Sequence, residues 1–313
     1  MELTILRKFI IDTDTASDDA VAIIMALRAP ELEIVALTEV AGNVALPYTI
    51  QNASISIGFA DTYVPPIYAG CDRPLLRDQQ FAPGAHGVNG LSDLEFPNPG
   101  HQPENEHAVN AIIRMIREGD GDIGLITLGP LTNVGMALRK APDIAAKIPE
   151  IIMMGGAGLS QSARTPVAEF NIWVDPEAAQ IVFGSGIPCT LLPLEACYGD
   201  ARVTAEDMET LRKIGSPAAN FCVDCNYQLT QMNLERIGEA VISLPDPTAI
   251  AYAVHPELAL ESFKCKVTVD TSGSISYGQT VLDIRAPKEE MIHTFVPKLD
   301  GKAFKEYVFE MMK

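Results

Sequence analysis

Residues 9 to 19 read Phe9-Ile10-Ile11-Asp12-Thr13-Asp14-Thr15-Ala16-Ser17-Asp18-Asp19, and Ala20-Val21-Ala22-Ile23-Ile24-Met25-Ala26-Leu27 follows. The apolar run Phe9 to Ile11 predicts a strand buried on both faces. The apolar stretch from Ala20 predicts a buried helix, with Ser17 or Asp18 placed to cap its start. Asp12, Asp14, Asp18 and Asp19 then fall on a strand-to-helix turn. In open α/β sheets ligands bind there, outside the carboxyl ends of the strands. Crowded carboxylates repel one another or rise in pKa. A hard cation resolves the conflict, because oxygen ligands suit it. Stabilisation of the helix dipole, at about 0.3–1 kcal/mol per acid, accounts for one or two of the four. An EF-hand does not fit: counting from Asp12, Ser17 stands where Gly is required and Ile23 where Glu is required.

Outward from this stretch, strand-like and helix-like segments alternate for most of the chain. Strands are expected at 33–38, 66–69, 123–127, 150–154 and 187–192, and helices at 47–61 and 106–118. Further helices are expected to open at Leu128-Gly129-Pro130-Leu131-Thr132-Asn133 and at Asp175-Pro176-Glu177, where Asp caps and Pro enters the first turn. Glu169-Phe170-Asn171-Ile172-Trp173-Val174 precedes the second of these, with Trp173 expected near a strand end. Gly155-Gly156-Ala157-Gly158 lacks the spacing and Lys of a phosphate loop and reads as room for close backbone approach. Residues 71–104 are rich in Pro, Gly, Asn and Asp, and a loop of that length is usually functional. Residues 204–240 look helical but are interrupted by Gly215 and Pro217. A helix follows from Leu244-Pro245-Asp246-Pro247 through His255, then strand-like alternation from Phe263 and a helix over 302–312. Repeated βα units imply a mostly parallel, Rossmann-like central sheet with helices on both sides. His101, His107, His255 and His293 read as loop or surface residues.

With 313 residues, 47% of them hydrophobic, the chain can build one large α/β domain or two smaller ones. A formal charge of −18 argues against nucleic acid and anionic membrane as partners and suits an enzyme of small molecules. No basic-plus-apolar leader and no apolar run of transmembrane length stands out, so a cytoplasmic location is expected. The six cysteines are scattered, which fits a reducing compartment. Cys222 and Cys225 form a lone C-x-x-C without a second pair, too little for a zinc site.

Several blocks together resemble one family. Asp12-Thr13-Asp14-Thr15-Ala16-Ser17-Asp18-Asp19-Ala20 resembles the N-terminal signature of the inosine–uridine preferring nucleoside hydrolases. Gly42-Asn43, His86-Gly87-Val88-Asn89-Gly90-Leu91, Leu128-Gly129-Pro130-Leu131-Thr132-Asn133 and Met154-Gly155-Gly156 resemble further blocks of that family, in its order. So do Glu169-Phe170-Asn171 with Asp175-Pro176-Glu177-Ala178, and Asp246-Pro247. The resemblance implies a single α/β domain over 1–313, with lid loops at about 71–104 and 215–240. It implies Ca²⁺, a homodimer or homotetramer, a role in nucleoside salvage, and hydrolysis of the N-glycosidic bond of a ribonucleoside to ribose and free base.

By similarity, Asp14, Asp19, Asp246 and the main-chain carbonyl of Leu128 would ligate Ca²⁺, and Asp18 would be the general base that activates a metal-bound water. Asn43, Glu169 and Asn171 would hold the sugar hydroxyls, and Met154 would lie near the ribose. The chemistry is coherent, because cleavage of a ribosyl C–N bond passes through an oxocarbenium-like transition state. It needs an activated water, stabilisation of the cationic sugar and help for the departing base.

Two positions depart from the family pattern. Many members carry His directly before the late Asp-Pro, where it can protonate the leaving base; here that residue is Pro245, which has neither a titratable group nor a backbone N–H. Ala163 stands at a position that is often Asn and contacts the 5′ side of the sugar. Help for the leaving group is therefore expected from the two lids. His86 is the first candidate, and Tyr227 and Arg236 could donate to a ring nitrogen or carbonyl. Two alternatives remain on these residues: a non-catalytic nucleoside-binding or sensing protein on the same scaffold, and a hydrolase of a different N-riboside. A haloacid-dehalogenase-type phosphatase is disfavoured because Ala16 stands where Thr commonly follows the second Asp.

Overall fold

The structure, a computed structural model, describes residues 6–158, 165–273 and 275–313. Ala163 lies outside the described residues. The chain begins with β1 (Arg7–Thr13), α1 (Ser17–Arg28), β2 (Leu32–Glu39), α2 (Leu46–Ala60) and β3 (Ile67–Ala69). The long loop carries one short helix, α3 (Pro83–His86), before α4 (Ala108–Glu118), β4 (Ile123–Thr127), α5 (Thr132–Lys140) and β5 (Ile151–Met154). Next come α6 (Phe170–Val174), α7 (Pro176–Phe183) and β6 (Cys189–Leu192). Four helices follow: α8 (Ala205–Ile214), α9 (Pro217–Cys225), α10 (Tyr227–Ile237) and α11 (Pro245–Val254). The chain closes with β7 (Ala259–Val269), β8 (Thr280–Asp283), β9 (His293–Leu299) and α12 (Gly301–Met311).

The sheet runs β3-β2-β1-β4-β5-β6-β9-β7-β8. Pairings from β3 through β9 are parallel, and β7 is antiparallel to both β9 and β8. The fold is therefore α/β with a mostly parallel central sheet flanked by helices. Strand order reverses between β2-β1 and β4, which opens a crevice at the carboxyl ends of β1 and β4. β1 shows why its sequence is apolar throughout. Phe9 and Ile11 join one core layer with α1, α2, α9 and α11, and Ile10 joins the opposite layer with α4, α5 and α7. Among the described residues, no helix is long and apolar enough to cross a membrane.

Four local expectations are corrected. α1 starts at Ser17, its N-cap is Ala16, and neither Ser17 nor Asp18 caps it. The start is secured instead by Asp19, whose Oδ2 accepts the Ala16 amide at 2.9 Å. Residues 217–237 are two helices, α9 and α10, rather than a loop, and Gly215 and Gly238 form left-handed caps on either side. Trp173 lies in α6, not near a strand end; five residues are too few to show a helical period. His293 is not a surface residue: it is 2% exposed on β9, where Nδ1 accepts the Cys189 amide and Nε2 lies 3.3 Å from the Phe183 carbonyl.

Candidate active site

Asp14 follows β1, Asp18 and Asp19 lie in the first turn of α1, and Asp246 lies in the first turn of α11. Carboxylate oxygens of Asp18, Asp19 and Asp246 lie within 4.8 Å of one another. Asp14 borders the same group, and two glycines make room for it. A Cβ on Gly42 would come within 2.0 Å of Asp14 Oδ2, and one on Gly129 within 2.7 Å of Oδ1. The Asn43 amide donates to Asp14 Oδ2.

Burial is the largest cause raising the pKa of all four acids. Asp18 and Asp19 are pushed up to about 6, while Asp14 and Asp246 stand well above the ordinary carboxylate range, with neighbouring carboxylates adding to the effect. Asp18 and Asp246 come close enough to share a proton. Asp14 Oδ1 and Asp18 Oδ1 are buried with no hydrogen-bond partner among the described residues. Orphaned buried carboxylate oxygens are costly, and so is like charge at this spacing. Both costs are relieved by a cation, and an all-oxygen donor set suits a hard divalent one. The residues present fit such a group.

A second layer of hydrogen bonds fixes these carboxylates. The Thr13 hydroxyl donates to Asp19 Oδ1 at 2.6 Å. The Thr15 hydroxyl lies 3.3 Å from Thr13 Oγ1 and donates to the fully buried Glu39 at 3.0 Å. Beside them, Thr38 and Asn133 donate to Asp12 Oδ1 at 2.6 and 2.9 Å. Asp12 therefore supports the strand end, with no place in the cation cluster itself. The Leu128 amide extends the β4 ladder by donating to the Asp12 carbonyl at 2.8 Å, and this aims the Leu128 segment at the site. The Leu128 carbonyl accepts Asn171 Nδ2 at 2.7 Å, and its second lone pair remains for another partner.

A cavity of about 390 Å³ opens on this cluster. Asp18, Asn43, His86, Leu128, Met154, Glu169, Asn171 and Asp246 all line it, while Asp14 and Asp19 are fully buried. Glu169 caps α6 through Asn171 and Ile172, and its Oε2 also accepts the Gly156 amide at 3.1 Å. Burial pushes its carboxyl up to about 7. His86 Nδ1 lies 2.8 Å from Ser17 Oγ and 3.7 Å from Asp18 Oδ1. Burial lowers its pKa to about 4, so the imidazole is neutral at neutral pH.

Tyr227 does not join the lining; it is 54% exposed at the start of α10, and the cavity's tyrosine is Tyr198. Tyr198 and Arg202 come from irregular turns after β6, where no motif marks them. Leu229, Met232, Asn233 and Arg236 come from α10. Glu39, also missed, had one visible signal: a carboxylate at the end of an otherwise apolar strand.

Comparisons with known proteins agree on one family. The family model described as inosine-uridine preferring nucleoside hydrolase matches residues 9–306. Pyrimidine-specific ribonucleoside hydrolase RihA of Escherichia coli O127:H6 is 36% identical over 275 residues, covering 88% of this chain and 88% of that protein. Pyrimidine-specific ribonucleoside hydrolase RihB of Escherichia coli O1:K1 / APEC is 37% identical over 277 residues, covering 88% and 87%. The structure of a purine-preferring ribonucleoside hydrolase from Gardnerella vaginalis superposes with a TM-score of 0.91 at 29% identity, covering 98% of each chain. A plant nucleoside hydrolase, PpNRh1, gives 0.90 at 29% identity, also covering 98% of each chain. With the family match spanning the strand ends that build the cavity, the chain belongs to the inosine-uridine preferring nucleoside hydrolases, enzymes that act on N-glycosyl compounds.

Proposed function

We propose that this protein is a Ca²⁺-dependent ribonucleoside hydrolase with Asp18 as general base. The observation that carries the reading is the junction of an acid cluster with a cavity. Asp18 is 4% exposed and faces the cavity, and its Oδ1 has no hydrogen-bond partner among the described residues. Asp14, Asp19, Asp246 and the Leu128 carbonyl would hold the cation. A bound Ca²⁺ supplies charge balance for the carboxylates and Lewis-acid polarisation of the attacking water.

The protein's own groups account for the rest. Asp18, as carboxylate, takes the proton of the water that attacks C1′. Asn43, Asn171 and Glu169 hold ribose hydroxyls, and the buried negative charge around them favours a cationic sugar. The Met154 sulfur packs against the ribose. His86 stays neutral beside Asp18. When the Ser17 hydroxyl donates to Nδ1, the ring proton sits on Nε2, and that N–H serves the leaving base. Tyr227 reaches substrate only if α10 shifts inward.

Residues 1–313 act as one domain, assembled as a homodimer or homotetramer for nucleoside salvage in the cytoplasm. Support for that location comes from the six free cysteines, which suit a reducing compartment. The related hydrolases named above include pyrimidine-specific and purine-preferring enzymes, so base preference is a matter for assay. The test is reducing-sugar release from uridine, cytidine, inosine, adenosine and guanosine, with and without chelator. Release that chelator abolishes and Ca²⁺ restores is expected, with Asp18→Asn lowering kcat about 10²–10⁴-fold. Nucleoside binding without release would support a sensing protein instead.

A further inference from the structure

Departure of the base poses a charge problem that the residue at 245 does not solve. The C1′–N bond breaks heterolytically and its electron pair leaves on the base nitrogen. Water supplies the new C1′–O bond and gives its proton to Asp18. The base must then be stabilised as an anion or protonated. Pro245 lines the cavity and can do neither, and the His86 N–H offers the base a hydrogen bond without a positive charge to balance it. Two cations line the same cavity. Arg202 stacks on Tyr198, its guanidinium carbon 4.8 Å from the ring centroid, and Arg236 projects from the last turn of α10.

Arg202 Nε is buried with no hydrogen-bond partner among the described residues. Neither guanidinium forms an ion pair among them, although the chain carries a net charge of −18. A buried, unanswered N–H in an acidic protein marks a place where an acceptor arrives. The proposed function assigns the ribose to the carboxylates and amides, which leaves the remaining lining to the base.

We infer that Arg202, with Arg236, replaces a leaving-group acid by hydrogen-bonding the departing base as an anion, and so selects bases whose negative charge spreads onto an exocyclic oxo group. The argument rests on the hydrolase reading. A guanidinium does not give up its proton at neutral pH, but its planar fork matches an oxo oxygen and an adjacent ring nitrogen. That contact strengthens as charge develops, which is what accelerates a reaction. After release, the base anion takes its proton from solvent. Uracil, cytosine and hypoxanthine delocalise charge onto oxygen. Adenine has no oxo group and presents an amino group at that edge, which meets a guanidinium donor to donor.

Steady-state kinetics on uridine, adenosine and 4-nitrophenyl riboside test this in the wild type, Arg202→Gln and Arg202→Lys, with Ca²⁺ binding by calorimetry as the control for folding. The wild type is expected to turn over uridine at least about ten times faster than adenosine. Arg202→Gln should lose about 10²–10³-fold in kcat on uridine, the scale of one lost transition-state donor. On 4-nitrophenyl riboside, whose phenolate leaves without help, the loss should be at most a tenth of that factor. Arg202→Lys keeps the charge without the fork and should fall between, and added guanidinium should restore part of the Arg202→Gln rate. Equal losses on uridine and the aryl riboside, a change in KM alone, or equal wild-type rates on uridine and adenosine would overturn the proposal. A wild type inactive on all three substrates would overturn the hydrolase reading, and the proposal with it.

Discussion

At the scale of single residues, the acid cluster is held by groups that carry no charge. Gly42 and Gly129 are present because Asp14 fills the space a Cβ would take. Gly42→Ala would push a methyl carbon to 2.0 Å from Asp14 Oδ2 and to 2.7 Å from Pro130 Cδ, so the carboxylate must move. Calorimetric titration should show Ca²⁺ affinity reduced at least about tenfold, with far-UV dichroism unchanged. Thr13 acts one step further out, donating to Asp19 Oδ1 at 2.6 Å. Thr13→Val keeps the shape and removes the donor, and loss of such outer support usually costs about 10–100-fold in metal affinity. Retention of wild-type affinity in both variants would show that Asp14 and Asp19 are not cation ligands.

Elements decide which of these residues were legible. Four of the motifs that could be read sit directly after a parallel strand: Asp14 after β1, Gly42 and Asn43 after β2, Leu128 after β4, and Gly155 after β5. Backbone direction brings such segments to one edge, so an apolar run followed by polar residues announces both the strand and its place in the site. Tyr198 and Arg202 could not be found that way, because they flank short 3-10 turns where nothing repeats. His293 was misread because burial on β9 depends on pairing with a distant strand, which no local pattern records. The cavity wall built by α10 depends on such a long-range contact as well. Ser92, in the long loop, donates to the Cys225 carbonyl at 2.6 Å and accepts the Gln228 amide at 2.9 Å, tying the loop to the α9–α10 junction. Ser92→Ala removes both bonds from a buried position and should cost about 1–3 kcal/mol in denaturant unfolding. Because α10 carries cavity residues, KM for the preferred nucleoside should also rise; lower stability with unchanged KM would mean that α10 holds its place without the loop.

At the scale of the whole molecule, many buried carboxylates make stability depend on pH and on the cation together. Glu169 is pushed up to about 7, and Glu39 well above its ordinary value, both chiefly by burial. A carboxyl with a raised folded-state pKa binds its proton more tightly folded than unfolded. Its contribution is complete below the unfolded pKa of about 4.3 and is lost as pH climbs through the folded value. For Glu169 that window runs from about pH 4 to about pH 7. Repulsion within a chain of net charge −18 acts in the same direction. In chelator, the melting temperature should therefore fall between pH 5 and pH 7.5, by at least about 5 °C given the usual relation between free energy and Tm. Ca²⁺ should reverse the trend, because binding to N but not U stabilises by mass action and deprotonated carboxylates bind more tightly at the higher pH. The increment in Tm on adding Ca²⁺ should accordingly be larger at pH 7.5 than at pH 5. Glu169→Gln, which keeps one acceptor oxygen and cannot titrate, should flatten part of the slope in chelator. Scanning calorimetry at the two pH values decides it. A Tm in chelator that is level or rises toward pH 7.5 would mean that the buried carboxylates are charged in the folded chain without a cation.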